Sequence, residues 1–203
     1  MAEQVKVAGI CGSLRDDSLS RRALQIGLEG AAEVGAETEL IDLRDYEMVF
    51  TVGKMSDEAV PEDVVRLRRK VQEASGLILA TPEYHGSYSG IIKNALDLMG
   101  FDEVEGKMIG LLAVSGGAMG GLEAMNALRA VGRALHAWVI PEQAGVPKAW
   151  DAFADDGSLK DQKLAERVRE VGRQTARFAW LHSSEKSKDF IKEWEAAVQN
   201  PGG

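Results

Sequence analysis

Five short apolar runs, alternating with stretches of helical spacing, constrain this chain more than any other feature. They are "VKVAGIC" (Val5 to Cys11), "TELIDL" (Thr38 to Leu43), "GLILAT" (Gly76 to Thr81), "MIGLLAV" (Met108 to Val114) and "LHAWVI" (Leu135 to Ile140). Their length and patterning suit strands. Between or after them, Val64, Leu67, Val71 and Ala74 form one helical face, Ile92, Ala95, Leu96 and Met99 a second, and Leu164, Val168, Val171, Thr175 and Phe178 a third. Pro61 suits the first turn of the helix that carries Val64, where its missing N–H costs little. Strands alternating with helices require a parallel sheet covered on both faces, because each crossover is right-handed and each helix must bury its apolar stripe. The expected architecture is a three-layer α/β sandwich. With 203 residues and 45% hydrophobic content, the chain supplies one sizeable core and is read as a single domain.

Composition removes several classes of function. No run approaches the roughly 18 apolar residues of a membrane span. The start "MAEQVKVAGI" lacks the basic flank and hydrophobic stretch of a signal peptide. A protein of the cytoplasm without a membrane span is expected. A net charge of −8 argues against nucleic acid as a partner, and "RLRRK" (Arg66 to Lys70) reads as the solvated face of a helix. The single cysteine, Cys11, permits no internal disulfide and no Cys-rich metal site; it ends an apolar run and reads as a packing residue. His85, His136 and His182 show no metal-ligand spacing, so no metal is expected, and redox chemistry would need an organic cofactor.

In doubly wound sheets ligands bind beyond the carboxyl ends of the strands. Three loops there are rich in small and hydrogen-bonding residues: "GSLRDDSLSR" (Gly12 to Arg21), "TPEYHGSYSG" (Thr81 to Gly90) and "SGGAMGG" (Ser115 to Gly121). The first precedes a helix that begins near Ser18 or Ser20, so its free N–H groups and helix dipole favour an anion. Ser13, Ser18 and Ser20 add hydroxyl donors, and Arg15 adds a planar charged fork. The competing reading is local: Ser18 or Ser20 caps the helix and Arg15 pairs with Asp16 or Asp17.

Two nucleotide signatures fail. "GICGSL" is not G-x-G-x-x-G, and "GFDEVEGKM" has the wrong spacing and ending for a P-loop and precedes a strand. Serines with one arginine suit a single terminal monophosphate such as that of FMN, with the other two loops left to hold the flavin ring. "SGGAMGG" allows close backbone approach to a plane, although tight strand-to-helix packing would also use its glycines.

These three motifs, in this order at the ends of strands one, three and four, resemble the NADPH-dependent FMN reductase family, which includes quinone, chromate and azo-dye reductases. The similarity covers roughly residues 5–181, and "TPEY" followed by "KNALD" is its most specific part. The resemblance implies a flavodoxin-like fold with a five-stranded parallel sheet in the order 2-1-3-4-5, bound FMN, and NADPH or NADH as co-substrate. It implies phosphate contacts from Ser13, Arg15, Ser18 and Ser20. Ring contacts are implied from Pro82, Glu83, Tyr84, His85 and Gly86, and from Ser115, Gly116 and Gly117. It also implies a homodimer or homotetramer, with Tyr84, Tyr88 and the helix Ser89 to Met99 near the contact.

Many relatives carry Asn where this chain has Ser20 and His85. Ser20 can still donate to phosphate. His85 reads as a neutral ring packed in its loop in preference to a proton donor. Glu83 reads as ordering its loop, because hydride chemistry is carried by the cofactor. Lys93, Asn94 and Asp97 are assigned structural or subunit-contact roles, and Trp138 and Trp150 core or rim positions. Residues 182–203 read as a polar linker and a short amphipathic helix carrying Phe190, Trp194 and Val198. The functional expectation is an oxidoreductase that passes electrons from NAD(P)H through FMN to small acceptors by a ping-pong mechanism. The alternative is a flavodoxin-type carrier serving a protein partner, against which Arg15 speaks.

Overall fold

The computed structural model describes residues 5–53, 56–183 and 189. Along the chain run β1 (Lys6–Cys11), α1 (Leu19–Glu33), β2 (Glu37–Ile41), α2 (Glu62–Glu73), β3 (Gly76–Tyr84), β4 (Ser87–Tyr88) and α3 (Gly90–Asp97). A short α4 (Phe101–Val104) follows, then β5 (Met108–Val114), α5 (Leu122–Ala134), β6 (Trp138–Val146), a short α6 (Ala149–Ala152) and α7 (Gln162–Ser183). The parallel strands lie in the order β2-β1-β3-β5-β6, and β4 pairs antiparallel with the end of β3. This is the expected five-stranded order, renumbered by one hairpin strand.

Alternation along each strand divides the core in two. Ile78, Ala80 and Leu112 pack with Leu24 of α1 and with Val168 and Val171 of α7. Leu77, Leu79 and Leu111 pack on the other face with Leu67, Ile92 and Leu128 of α2, α3 and α5. A period of two along the strand and of 3.6 along each helix produces this division without any special residue. Helices α1 and α7 approach until their backbones touch. A Cβ at Gly172 would strike the carbonyl of Gly27, and one at Gly30 would strike that of Arg169.

Several boundaries differ from expectation. The last strand begins at Trp138 and continues through Pro141 to Val146, where the sequence suggested an end at Ile140. Proline donates no ladder hydrogen bond, but β6 is an edge strand, and the register shifts between Ile109 and Leu111 absorb the extra residues there. Pro61 sits at the cap position, one residue ahead of the first turn of α2. β2 ends at Ile41 and yields to a 3-10 turn at Leu43–Asp45. Trp138 and Trp150 are exposed, so both belong to the rim and neither to the core. His136 lies before β6 with φ of 59°.

The basic run on α2 is engaged with its surroundings: Arg66 pairs with Asp63, Arg68 with Asp57 and Lys70 with Glu39. Cys11 is buried, and burial pushes its thiol above the usual range, as expected of a packing residue. Lys93 pairs with Asp97 one helical turn on. No helix among the described residues is long and apolar enough to cross a membrane, and no cluster of metal-ligating side chains occurs among them. α7 runs through His182 to Ser183; the expected helix bearing Phe190, Trp194 and Val198 lies outside the described residues.

Candidate active site

The loop after β1 is fastened before it reaches the crevice. Gly12 donates its N–H to Ala80 O at 2.7 Å, and Ser89 Oγ donates to Gly12 O at 2.5 Å. Ser89 also caps α3, accepting from Ile92 N, and donates its own N–H to the buried Thr81 Oγ1. A side chain on Gly12 would collide with Ser89 Oγ and Ile92. One buried serine thus joins the first loop, the end of β3 and the start of α3.

Beyond Gly12 the chain turns into α1. Ser18 is the N-cap, its Oγ accepting from Arg21 N at 3.2 Å, so the capping reading of the sequence is realised. The ion-pair reading is realised too: Arg15 Nε and Nη2 each donate to Asp17 at 3.1 Å, with both side chains mostly in solvent. Asp17 holds the guanidinium in its charged form, and Arg15 holds the Asp17 carboxyl below the usual carboxylate range. The Arg15 guanidinium also lies 5.4 Å from the ring centroid of Trp150, within cation–π range.

A crevice of about 90 Å³ gathers Ser13, Arg15, Ser18 and Ser20 with Pro82, Glu83 and Tyr84, and with Ser115 and Gly116. Three loops far apart in sequence therefore meet as expected. Asp17, Leu19, Val114, Ala149 and Trp150 complete its wall. Trp150 was not placed at the crevice by sequence because the last strand was ended at Ile140. With β6 running to Val146, residues 147–150 become a fourth loop at a strand's carboxyl end. Hydrogen bonds bind it to the third: Ser115 N donates to Val146 O, Lys148 N to Gly117 O and Ala149 N to Ser115 O, each at 3.0 Å. The absence of a side chain at Gly116 matters here, since its Cβ would stand 3.3 Å from Trp150 Nε1. Larger concavities exist, such as one of about 410 Å³ between α1 and the turn near Gly157. That one carries mixed charges from Arg22, Glu29, Asp156 and Arg169, and lies away from the strand ends where doubly wound sheets bind ligands.

Glu83 is a structural clasp. Its Oε2 accepts from Ala124 N at 3.1 Å, in the first turn of α5, where the helix dipole favours a carboxylate. Gly117, His85 and Gly86 do not line the crevice. Gly117 donates its N–H to Ser115 Oγ and shapes the third loop.

His85 is not packed in its loop, as the sequence suggested; it is exposed at the tip of the β3–β4 hairpin. Tyr84 pairs with Ser87, so His85 and Gly86 form a two-residue turn, with φ of 52° and 74°. Positive φ at both central positions is the mark of a type I′ turn, for which Asn-Gly is the preferred dipeptide. An Asn at this position would therefore have a backbone reason, and His is among the residues that tolerate the left-handed region. His85→Asn should therefore fold with stability within about 1 kcal/mol of the parent, whereas His85→Val should lose about 1 to 3 kcal/mol. Denaturant titration reads both; a valine variant as stable as the parent would contradict the turn assignment.

Comparison with known proteins follows the same lines. Residues 5–151 match the family described as NADPH-dependent FMN reductase. The NADPH-dependent FMN reductase ArsH of Shigella flexneri is 29% identical over 89% of this chain and 71% of its own length. An FMN-dependent NADPH-azoreductase of Staphylococcus aureus (strain USA300) is 36% identical over 66% of this chain and 73% of its own. Among solved structures, the flavoenzyme NAD(P)H:(acceptor) oxidoreductase FerB of Paracoccus denitrificans superposes with a TM-score of 0.70 at 27% identity, covering 88% of this chain and 98% of that one. With the match spanning most of the chain, this protein belongs to the NADPH-dependent FMN reductase family.

Proposed function

We propose that this chain holds FMN at the carboxyl ends of β1, β3, β5 and β6 and passes electrons from NAD(P)H to quinones, free flavin, chromate or related small acceptors. The observation that carries this reading is the crevice itself, with a helix N-terminus, an arginine and three serines on one side and a glycine-backed ledge bearing Ser115 on the other. That donor set suits a flavin monophosphate: charge-assisted donors for the phosphate, small residues and an aromatic for the ring.

Bound FMN supplies the hydride and electron chemistry. The chain's residues bind and orient. Arg15 exchanges Asp17 for phosphate oxygens, a change favoured by the solvent-exposed setting of the present pair. Ser13 and Ser20 donate hydroxyl bonds, and Ser18 can donate while still accepting from Arg21 N. The Ser115 hydroxyl accepts from Gly117 N and keeps its own hydrogen for a ring oxygen or nitrogen. Pro82 to Tyr84 form the opposite wall, fixed by the Glu83 clasp on α5. Gly116 and Trp150, which line the crevice, would hold the ring. His85 and Gly86 act through the turn that aims Tyr84.

The phosphate assignment is tested by replacing Arg15. Arg15→Ala should weaken FMN roughly ten- to a hundredfold while changing riboflavin by less than about twofold; equal losses for both would contradict it.

One crevice with one phosphate cradle leaves NAD(P)H and the acceptor to use the same open face in turn. Initial rates measured against NADPH at several fixed quinone concentrations should give parallel double-reciprocal lines, with excess quinone competing against NADPH. Intersecting lines would indicate two sites.

Leu14, Tyr84, Met119 and Trp150 are exposed on the loops at this end of the sheet. We propose that a homodimer, or a tetramer of dimers, covers them with Tyr88 and α3 near the contact. A monomeric mass by light scattering for the fully active protein would overturn this assembly.

A further inference from the structure

Arg21 stands in the first turn of α1 with its side chain 10% exposed, and it does not line the crevice. Its guanidinium faces the back of the β1–α1 loop. Nη1 donates to Arg15 O at 3.0 Å and to Asp16 O at 3.2 Å, and Nη2 donates to Ser13 O at 3.3 Å. Its Nε lies 3.0 Å from Asp42 Oδ2 without the alignment of a hydrogen bond. Asp42 is shared with Arg44, whose Nη1 reaches Asp16 at 2.9 Å. Two arginines and two aspartates therefore anchor the loop to the end of β2.

The consequence follows from the planarity of the peptide group. In a trans peptide the C=O and the following N–H point in opposite directions. Three carbonyls drawn to one buried guanidinium therefore turn the N–H groups of Leu14, Asp16 and Asp17 the other way. Successive N–H groups facing a common side form an anion-binding nest. The same loop contributes Ser13, Arg15 and Asp17 to the crevice wall.

Resting on the reading that the FMN phosphate takes this loop, we propose that Arg21 is a positioning residue for it. Arg21 holds the loop's carbonyls away from the anion and its N–H groups toward it, without touching the ligand. Arg15 and Arg21 then divide the work. Arg15 is solvent-exposed and exchanges partners, whereas Arg21 is buried and fixed. A lysine at 21 would keep the charge beside Asp42, but a single ammonium lacks the fork that spans three carbonyls.

The test compares FMN with riboflavin on the full chain carrying Arg21→Lys, with thermal unfolding measured in parallel. The expected result is a folded protein whose riboflavin affinity stays within twofold while FMN affinity falls at least tenfold. Equal weakening of both flavins, or no change in a folded variant, would overturn the proposal. Asp42→Asn leaves the carbonyl partners of Arg21 in place and should keep the parent's FMN-to-riboflavin ratio; loss of the ratio there would assign the effect to the ion pair instead. The unmodified chain offers a test that no folding failure can obscure. FMN, and not riboflavin, should move the backbone amide proton resonances of Leu14, Asp16 and Asp17 downfield, and unmoved resonances would overturn the proposal. If the unmodified chain binds the two flavins equally, the phosphate reading itself fails, whatever Arg21 does.

Discussion

Everything in this molecule depends on a sheet whose five main strands run the same way. A parallel sheet needs a crossover between successive strands, and those crossovers must cover both faces. All the strand-to-helix loops then emerge at one edge, and every helix that follows presents its N-terminus there. The crevice is the meeting place this arrangement creates. Its walls come from the turns after β1, β3, β5 and β6, and the positive end of α1 faces it. The cost of the arrangement appears at the other layer, where α1 and α7 must share one face of the sheet and pack through Gly27, Gly30 and Gly172.

Within that frame the site is built by cross-links between loops, more than by the side chains that face a ligand. Ser89 joins the first loop to the third strand, Glu83 joins that strand's end to α5, and backbone bonds join the glycine loop to residues 146–149. Arg21 with Asp42 and Arg44 ties the first loop to the second strand. The exposed Arg15–Asp17 pair is the contrasting element, held by side chains alone and open to exchange.

Periodicity made most of the fold legible in the sequence. Val64, Leu67 and Val71 are buried as spaced, and the alternating Leu77 to Ala80 divides between the two core layers. The expectations that failed share a cause: a local rule met a tertiary exception. The last apolar run reads as ending at Ile140, yet an edge strand carries on through Pro141. His85 reads as a ring seeking a pocket, yet backbone handedness decides its place. Trp150 is at the rim, as one of its two readings had it, but its place in the crevice wall follows only once β6 runs on to Val146. Arg21 was visible in the quoted loop, but nothing in a linear pattern shows which of four nearby carbonyl and carboxylate partners an arginine will reach. Those partners include Asp42, twenty-one residues away, brought close only by the pairing of β1 with β2.

The central claim is that the turn between β1 and α1 receives the phosphate of FMN as a dianion. Phosphorus-31 NMR of the protein–FMN complex tests it most directly, because a phosphate monoester in water takes up a proton near pH 6. Held by Arg15, serine hydroxyls and backbone N–H groups, the bound phosphate should remain dianionic, with a resonance that stays constant between about pH 5 and 8. A resonance that titrates like that of free FMN would place the phosphate in solvent and contradict the account.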